Sequence, residues 1–293
     1  MEGEGPAYWG AAELVERSAG RTRGLRLEGL YVRGSLDGLA GPTVAVVGSR
    51  VPSEAGRRLA HRLARRLGQA GVCVVSGLAL GIDAAAHLGA VSAGGRTIGV
   101  LGGGHGCFYP RANRGLADAI VAQGGAVVSP FEPQRPALPA QFLQRNAIIA
   151  ALADAIVVVE AAARSGSLNT AAWAVDAGKT VMAFPGDVDR PKVAGCLALI
   201  RDGALLVRDA DDVLAALPLD VAPAAVAPRA REPRTELERR VLDALVQHER
   251  SADELLSATG AQPGAILAAL ADLELTGAIE RRGGTAYALA KGA

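Results

Sequence analysis

The chain has 293 residues, of which 50% are hydrophobic and 21% charged, and its formal net charge is +1. This length allows one large domain and a small one, and the near-neutral charge means that any polyanion site must come from local clusters of arginines and backbone N–H groups. No apolar run reaches the roughly 18 residues of a transmembrane helix, and the acidic N-terminus does not resemble a signal peptide, so we expect a soluble cytoplasmic protein with no membrane contact.

Residues 1–27 are predicted to form a short N-terminal extension, because they are too few for a domain. The segment GLYVRGSLDGLAGP, which begins at Gly29, is typical of an edge strand and a turn leading into a sheet. Beyond it, β-branched runs alternate with alanine-rich stretches: TVAVVG, VCVVSG, TIGVLGGG, AVVSP, AIVVVEA and TVMAFPG. Apolar strands that alternate with helices predict an α/β fold, a doubly wound Rossmann-like domain with a parallel sheet, over residues 28–217.

The first helical stretch of this domain, GRRLAHRLARRLG, is strongly amphipathic. Its leucines are Leu59, Leu63 and Leu67, and its arginines are Arg57, Arg58, Arg62, Arg65 and Arg66. We expect the leucine face to be buried against the sheet and the arginine face to be exposed to solvent.

The C-terminal part of the chain has a different composition. Residues 218–234 are rich in proline and alanine and are predicted to form a linker. Residues 235–293 contain three helical stretches and then two short strands around Gly283 and Gly284, the pattern of a winged-helix domain. Ser251 and Glu254 have the spacing of a capping box at the start of the second helix.

Several predicted strands end in small residues just before a helix. Ligands of open α/β sheets gather outside the carboxyl ends of the strands, where the first N–H groups of the helices are unpaired. Four such corners are Gly48-Ser49-Arg50, Ser76-Gly77, Gly102-Gly103-Gly104 and Ser165-Gly166-Ser167. Any one of them can be an ordinary turn, but together they predict several phosphate sites along one edge.

Arginines accompany these corners: Arg50, Arg111, Arg145 and Arg164. A guanidinium group binds phosphate through paired hydrogen bonds and also stacks on bases. Neither the dinucleotide fingerprint after the first strand nor a P-loop is present, which removes the main support for a nucleotide-cofactor site.

Groups suited to catalysis are scarce. Asp83 precedes His87 by one helical turn, so a local Asp–His contact that fixes the preceding corner is expected. Glu160 ends a buried strand and is expected to orient the loop that follows. The three cysteines and four histidines form no metal-ligand pattern, so we expect no metal site and no cofactor.

The strings VAVVGSR, VVSGLALGIDAAAH, FYPRAN, QRNAIIAALADAIVVVEAAARSGSLNTA and FPGD follow one another in this order. In this combination the chain resembles the DNA-processing protein A family, also called DprA or Smf. The resemblance covers about Leu30 to Leu217 and continues weakly through the winged-helix segment. It implies a homodimeric protein without enzymatic activity that binds incoming single-stranded DNA, loads the RecA recombinase and relieves inhibition by single-strand-binding protein during natural transformation and recombination.

The resemblance also implies which groups contact the strand. The side chains would be those of Arg50, Arg111, Arg145 and Asn146. The phosphate-holding corners would be formed by Gly48, Ser49, Ser76, Gly77, Gly81, Ser165, Gly166 and Ser167. Leu80, Ala147, Ala194 and Leu197 replace polar or basic residues that are common in the family, which predicts a lower affinity or a smaller site.

Two other functions are open to test. A nucleotide-processing hydrolase of a related Rossmann-like fold would need a glutamate in the loop ARSGSLNTAAW, where none follows the threonine. A winged-helix transcription regulator would need basic residues in its recognition helix, and the segment from Gln262 to about Leu275 has none.

Four aromatic residues could stack on bases, although each is expected to lie in the core: Phe108, Tyr109, Phe142 and Trp173.

Overall fold

The computed structural model describes residues 5–18, 20–217, 235–246, 248–275, 278–282 and 286–289. The chain divides into two compact units, Met1–Ala225 and Val226–Ala293. The described strands of the first unit are β1 (Ala7–Gly10), β2 (Gly29–Gly34), β3 (Thr43–Val47), β4 (Cys73–Ser76), β5 (Thr97–Val100), β6 (Ala126–Ser129), β7 (Ala155–Val158), β8 (Thr180–Ala183) and β9 (Leu205–Leu206). Its described helices are α1 (Ala11–Arg17), α2 (Glu54–Gln69), α3 (Ile82–Ser92), α4 (Arg114–Ala122), α5 (Pro139–Leu152), α6 (Gly166–Asp176), α7 (Ala194–Arg201) and α8 (Ala210–Ala215).

The strands form one sheet in the order β1-β2-β6-β5-β4-β3-β7-β8-β9. From β6 to β9 all neighbouring strands are parallel, as the apolar runs predicted. The strand order reverses between β3 and β7, whose last residues Val47 and Val158 are paired. This is the topological switch point, where open α/β sheets bind ligands, and the predicted doubly wound architecture is confirmed.

The N-terminal segment extends the sheet. β1 pairs antiparallel with β2 and takes the edge position, so the prediction that the Gly29 segment forms the edge strand is wrong. The physical reason is that β1 covers its outer side, where the Tyr8 and Tyr31 rings lie 5.0 Å apart.

Helices cover both faces of the sheet. Buried residues of α1, α5, α6 and α7 share a core with Ala45 and Val47, whereas those of α2, α3 and α8 share a core with Val44 and Val46. Since successive strand residues point to opposite faces, these two cores lie on opposite sides. No helix in the described part of the chain is long and apolar enough to span a bilayer.

Helix α2 is amphipathic as predicted, with Leu63 and Leu67 buried. It packs very closely on α3, because a Cβ atom on Gly89 would lie 2.2 Å from the His61 carbonyl oxygen. Only glycine permits this approach of the two helices.

The second unit contains α9 (Glu236–Leu245), β10 (Arg250–Ser251), α10 (Ala252–Thr259), α11 (Pro263–Leu275), β11 (Ile279–Arg282) and β12 (Ala286–Leu289). β12 pairs with both β10 and β11, so a strand that the sequence did not predict joins the two that it did. The capping box is confirmed, because the Ser251 hydroxyl accepts from the Glu254 N–H and the Glu254 carboxylate accepts from the Ser251 N–H. Gly283, Gly284 and the linker 218–234 lie outside the described residues.

Candidate nucleic-acid interface

The corner after β3 lies at the switch point and presents Arg50. The Ser49 N–H donates to the Glu160 carbonyl at 2.7 Å, and the Ser49 carbonyl accepts from the Ile82 N–H at 3.1 Å. The backbone at Ser49 is therefore fixed by the protein itself. The Arg50 side chain is exposed, and its guanidinium carbon lies 5.2 Å from the centre of the Phe142 ring.

The start of α2 beside this corner is occupied by a carboxylate of the protein. Glu160 is buried and accepts from the Ser53 N–H at 2.8 Å and from the Ser53 hydroxyl at 2.5 Å. The expectation that Glu160 orients the loop after it is therefore replaced by a different role, because its side chain holds the beginning of α2. A helix N-terminus attracts anions, and here the anion is internal.

The corner after β4 is also filled from within. The Ser76 hydroxyl is buried and donates to the Val46 carbonyl at 2.6 Å. The Asp83 carboxylate accepts from the N–H groups of Gly77 and Ala79 at 3.1 and 3.4 Å. A phosphate could reach these two N–H groups only by displacing Asp83.

His87 does not contact Asp83 as the sequence predicted. Its Nδ1 lies 2.8 Å from the Thr97 hydroxyl oxygen, which itself donates to the Val74 carbonyl. Burial, together with the nearby Arg145, lowers the pKa of His87 to about 3, so the imidazole is neutral. The predicted contact is wrong because Asp83 is engaged by backbone N–H groups and by Arg145.

Arg145 is a buried cation beneath the crevice, the surface formed by the corners at the carboxyl edge of the sheet. Its side chain is 4% exposed, and its Nη1 lies 3.9 Å from Asp83 Oδ2 and 3.3 Å from the Val100 carbonyl oxygen. Burial lowers the pKa of Arg145 to about 10, an effect that Asp83 opposes, so the group is charged at neutral pH. A Cβ atom on Gly77 would lie 1.3 Å from Nη1, which explains why this corner requires glycine.

Phe142 and Tyr109 form an aromatic pair close to Arg50 and Arg145. The guanidinium carbon of Arg145 lies 5.8 Å from the centre of the Phe142 ring, and both residues belong to α5. The Tyr109 ring packs edge-on against Phe142, with 6.1 Å between the ring centres. Tyr109 is 56% exposed, so the expectation that it lies in the core is wrong, as it also is for Trp173. A Cβ atom on Gly102 would lie 2.6 Å from the Phe142 ring, so the corner after β5 seats this side chain. Phe108 is buried, as expected, and Arg111 is exposed two residues beyond Tyr109.

The corner after β7 differs from those after β3 and β4. Ser165 caps α6 by accepting from the Ser167 N–H, and the two hydroxyl oxygens lie 2.8 Å apart. The first turn of α6 contains no acidic residue, and Gly166 is exposed. Asn146, which follows Arg145 on α5, donates to the Gly166 carbonyl at 3.2 Å. Helix α5 therefore contacts the corners after β4 and β7, on either side of β3, with the consecutive residues Arg145 and Asn146.

Lys192 is a cation at the crevice that the sequence reasoning did not select. Its Nζ donates to the Val51 carbonyl at 2.8 Å, next to Arg50, and the side chain is exposed. It is brought there because α7 packs against the end of β7, where the Gly195 N–H donates to the Ala161 carbonyl. No motif surrounds Lys192, so only the tertiary structure could reveal it.

Comparison with known proteins agrees with this architecture. A family profile described as DNA recombination-mediator protein A matches residues 27–218, and a profile for the DprA winged helix domain matches residues 225–285. The DNA processing protein DprA of Streptococcus pneumoniae is 44% identical over 186 residues, which are 64% of this chain and 65% of that protein. A DprA homologue of Mycobacterium tuberculosis is 40% identical over 267 residues, which are 88% of this chain and 67% of that protein.

Solved structures give the same result. The S. pneumoniae DprA structure matches with a TM-score of 0.67 and 38% identity, and covers 73% of this chain and 75% of its own. A Helicobacter pylori DNA processing protein A, whose structure concerns its single-stranded DNA binding mode, matches with a TM-score of 0.60 and 27% identity over 66% of this chain and 89% of its own. Together with the profile match over most of the chain, these similarities show that the protein belongs to the DNA recombination-mediator protein A family, known as DprA or Smf.

Proposed function

We propose that the carboxyl edge of the sheet binds single-stranded DNA without sequence preference and without catalysing a reaction. One observation carries the proposal: the exposed Arg50 and Tyr109 meet at the Phe142 ring, which the buried Arg145 also approaches, at the carboxyl edge of the sheet. Proteins that bind single strands combine cations that follow the backbone with aromatic rings on which bases stack. The open start of α6 adds backbone donors for a phosphate.

Further features favour a single strand over a duplex. The aromatic rings can stack only on bases that are not already paired within a double helix. Helix α11, the counterpart of a recognition helix, contains no lysine or arginine with which to contact a duplex backbone. The carboxylates at two corners, Asp83 and Glu160, are both buried and hydrogen-bonded to the backbone, which gives a hydrolase no accessible acid at these positions.

We further propose, from membership in the family, that the protein acts in the cytoplasm as a homodimer. In this role it protects incoming DNA and loads the RecA recombinase on strands covered by single-strand-binding protein, during natural transformation and recombination. This part of the proposal concerns partners, and it is tested separately from the DNA site.

The DNA site is tested by fluorescence anisotropy with labelled oligo-dT and a matched duplex across a salt series. The single strand should bind more tightly, and Arg50→Ala should weaken binding and reduce the salt slope by about 0.7, the value for one phosphate contact on a single strand. Arg201→Ala is the matched control, because Arg201 is exposed and pairs with its neighbour Asp202 at the far end of α7. Equal losses in both variants, or tighter binding of the duplex, would contradict the proposal.

The partner roles are tested by RecA-dependent ATP hydrolysis on strands coated with single-strand-binding protein. The wild type should shorten the lag before RecA assembles, whereas Arg50→Ala should shorten it less. An unchanged lag with the wild type would exclude RecA loading and leave the DNA site untouched.

A further inference from the structure

Helix α2 concentrates the positive charge of the protein on one face, where four of the five arginines are exposed and Arg65 is partly buried. It contains five arginines and one glutamate, a net charge of +4, so the remaining residues together carry −3. The arginines follow two adjacent stripes at helical spacing, one with Arg58, Arg62 and Arg66 and the other with Arg57 and Arg65. The leucines lie on the opposite face of α2, and the stripe with Arg65 borders α3, where a Cβ atom on Gly89 would lie 3.1 Å from the Arg65 backbone nitrogen. Packing therefore does not explain the exposed stripe with Arg58, Arg62 and Arg66.

The charges on this face are only partly neutralised. Glu54 lies 3.6 Å from Arg57 and 3.5 Å from Arg58, and Asp211 lies 3.3 Å from Arg66. These pairs are half or more exposed, and such pairs contribute little and exchange readily for another anion.

The centre of the face has no such partners. Arg62 and Arg65 have no carboxylate within ion-pair distance among the residues that the structure describes. His61 lies between Arg57 and Arg65 on one stripe; burial lowers its pKa, and the neighbouring Arg65 and Arg62 lower it further.

The face is continuous with the crevice described above. Helix α2 begins four residues after Arg50, and Ser53 fixes this junction to Glu160. Lys192 lies at the same junction, next to Arg50, because its Nζ donates to the Val51 carbonyl. From Arg58 to Arg66 the helix rises about 12 Å, so a chain with evenly repeated charges could contact the cations in succession.

We propose that the arginine face of α2 binds the phosphates of the same single strand that occupies the crevice, and so extends the DNA site along the outside of the helix. This inference rests on the proposed function. A nucleic-acid strand fits better than an acidic protein segment, because the charged face continues directly from Arg50 and because repeated phosphates match repeated arginines.

The test compares two lengths of labelled oligo-dT. A strand of about 6 nucleotides is near the lower end of the roughly 4–16 nucleotides that one site covers, and a strand of about 20 nucleotides extends beyond the upper end. In the double variant Arg62→Gln/Arg65→Gln, the long strand should bind about 3- to 10-fold more weakly, with a salt slope reduced by about 1.4 for two phosphate contacts. Binding of the short strand should not change. The control, Arg26→Gln/Arg201→Gln, removes the same charge on the face of the sheet opposite to α2: Arg26 is exposed between Leu25 and Leu27, which pack on the same core as α7, and Arg201 ends α7.

A second readout uses His61 as a local probe. Its imidazole pKa, followed by NMR, should rise when the long strand is bound, because phosphates offset the two arginines, and should stay unchanged with the short strand. An unchanged affinity for the long strand in the double variant would overturn the inference, and the face would then be assigned to an acidic protein partner. Equal weakening of both lengths would also overturn it, since only a general charge effect would remain.

The two proposals fail in different ways. If Arg50→Ala leaves binding of the short strand unchanged, the crevice assignment fails. If Arg50→Ala weakens the short strand while the α2 variant leaves the long strand unaffected, only the extension along α2 fails. If the wild type binds neither strand at low salt, both are wrong.

Discussion

The corners after β4 and β7 have nearly the same sequence character, a serine and a glycine followed by a helix, yet the structure uses them differently. After β4 the N–H groups of Gly77 and Ala79 bind Asp83, and Arg145 is buried beneath them. After β7 the first turn of α6 contains no acid, and Gly166 faces solvent. A small-residue corner is therefore open to an external anion only where the fold supplies no carboxylate of its own.

The largest expected effect comes from disrupting the corner after β4, where Asp83 occupies the backbone N–H groups. Asp83→Ala would leave Arg145 buried without its carboxylate and two N–H groups without an acceptor, so we expect a loss of about 3–5 kcal/mol in the free energy of unfolding, measured by urea denaturation. The double variant Asp83→Ala/Arg145→Leu removes the uncompensated charge and should recover part of the loss. A loss below about 1 kcal/mol would show that Asp83 does not hold the corner.

The two glycines sharpen the comparison. Gly77→Ala would place a Cβ atom 1.3 Å from Arg145 Nη1 and should lower the free energy of unfolding by about 1–3 kcal/mol through overpacking. Gly166→Ala meets nothing within 4 Å and should change it by no more than about 0.5 kcal/mol. Similar losses from both substitutions would mean that the corners are not different.

The pH dependence of the free energy of unfolding should also come from the region of the β4 corner, where His87 is buried in α3. His87 stays neutral in the folded state down to a pKa of about 3, whereas in the unfolded chain it takes up a proton near pH 6.5. Stability should therefore fall as the pH falls through this interval, by about 2 kcal/mol between pH 6.5 and 5. Denaturation of His87→Gln at both pH values should show a smaller difference, and an equal difference would assign the effect to other groups.

The smallest effect concerns the open corner. Ser165→Ala removes the cap of α6 and should lower the free energy of unfolding by about 1 kcal/mol, whereas Ser165→Gly should cost only a few tenths. Both values come from the same denaturation experiment. A loss as large as that for Asp83→Ala would show that the α6 corner also has a buried structural role.

The alternating β-branched and alanine-rich segments predicted the parallel sheet because buried strands and amphipathic helices have distinct periods. The strands β1, β9 and β10 were not predicted: β9 and β10 have only two residues each, and β1, with the sequence AYWG, lacks the β-branched run that marked the predicted strands. Their pairing depends on strands already in place.

The positions of the corners could also be predicted, but not what fills them. Ser53 and Glu160 are 107 residues apart in sequence, and Lys192 reaches Val51 across 141 residues. Such contacts depend on the strand order, which brings β3 beside β7. Asp83 lay within six residues of Gly77, yet its spacing to His87 favoured the wrong partner.

The close contact at Gly89 joins α2 to α3 without an intervening side chain. Helices packed in this way are expected to open as one foldon, so their amides should exchange with solvent cooperatively. A ligand that stabilises one member of a cooperative unit protects all of it. We therefore expect a strand bound along α2 to slow hydrogen exchange in the buried turns of α3, which it does not touch.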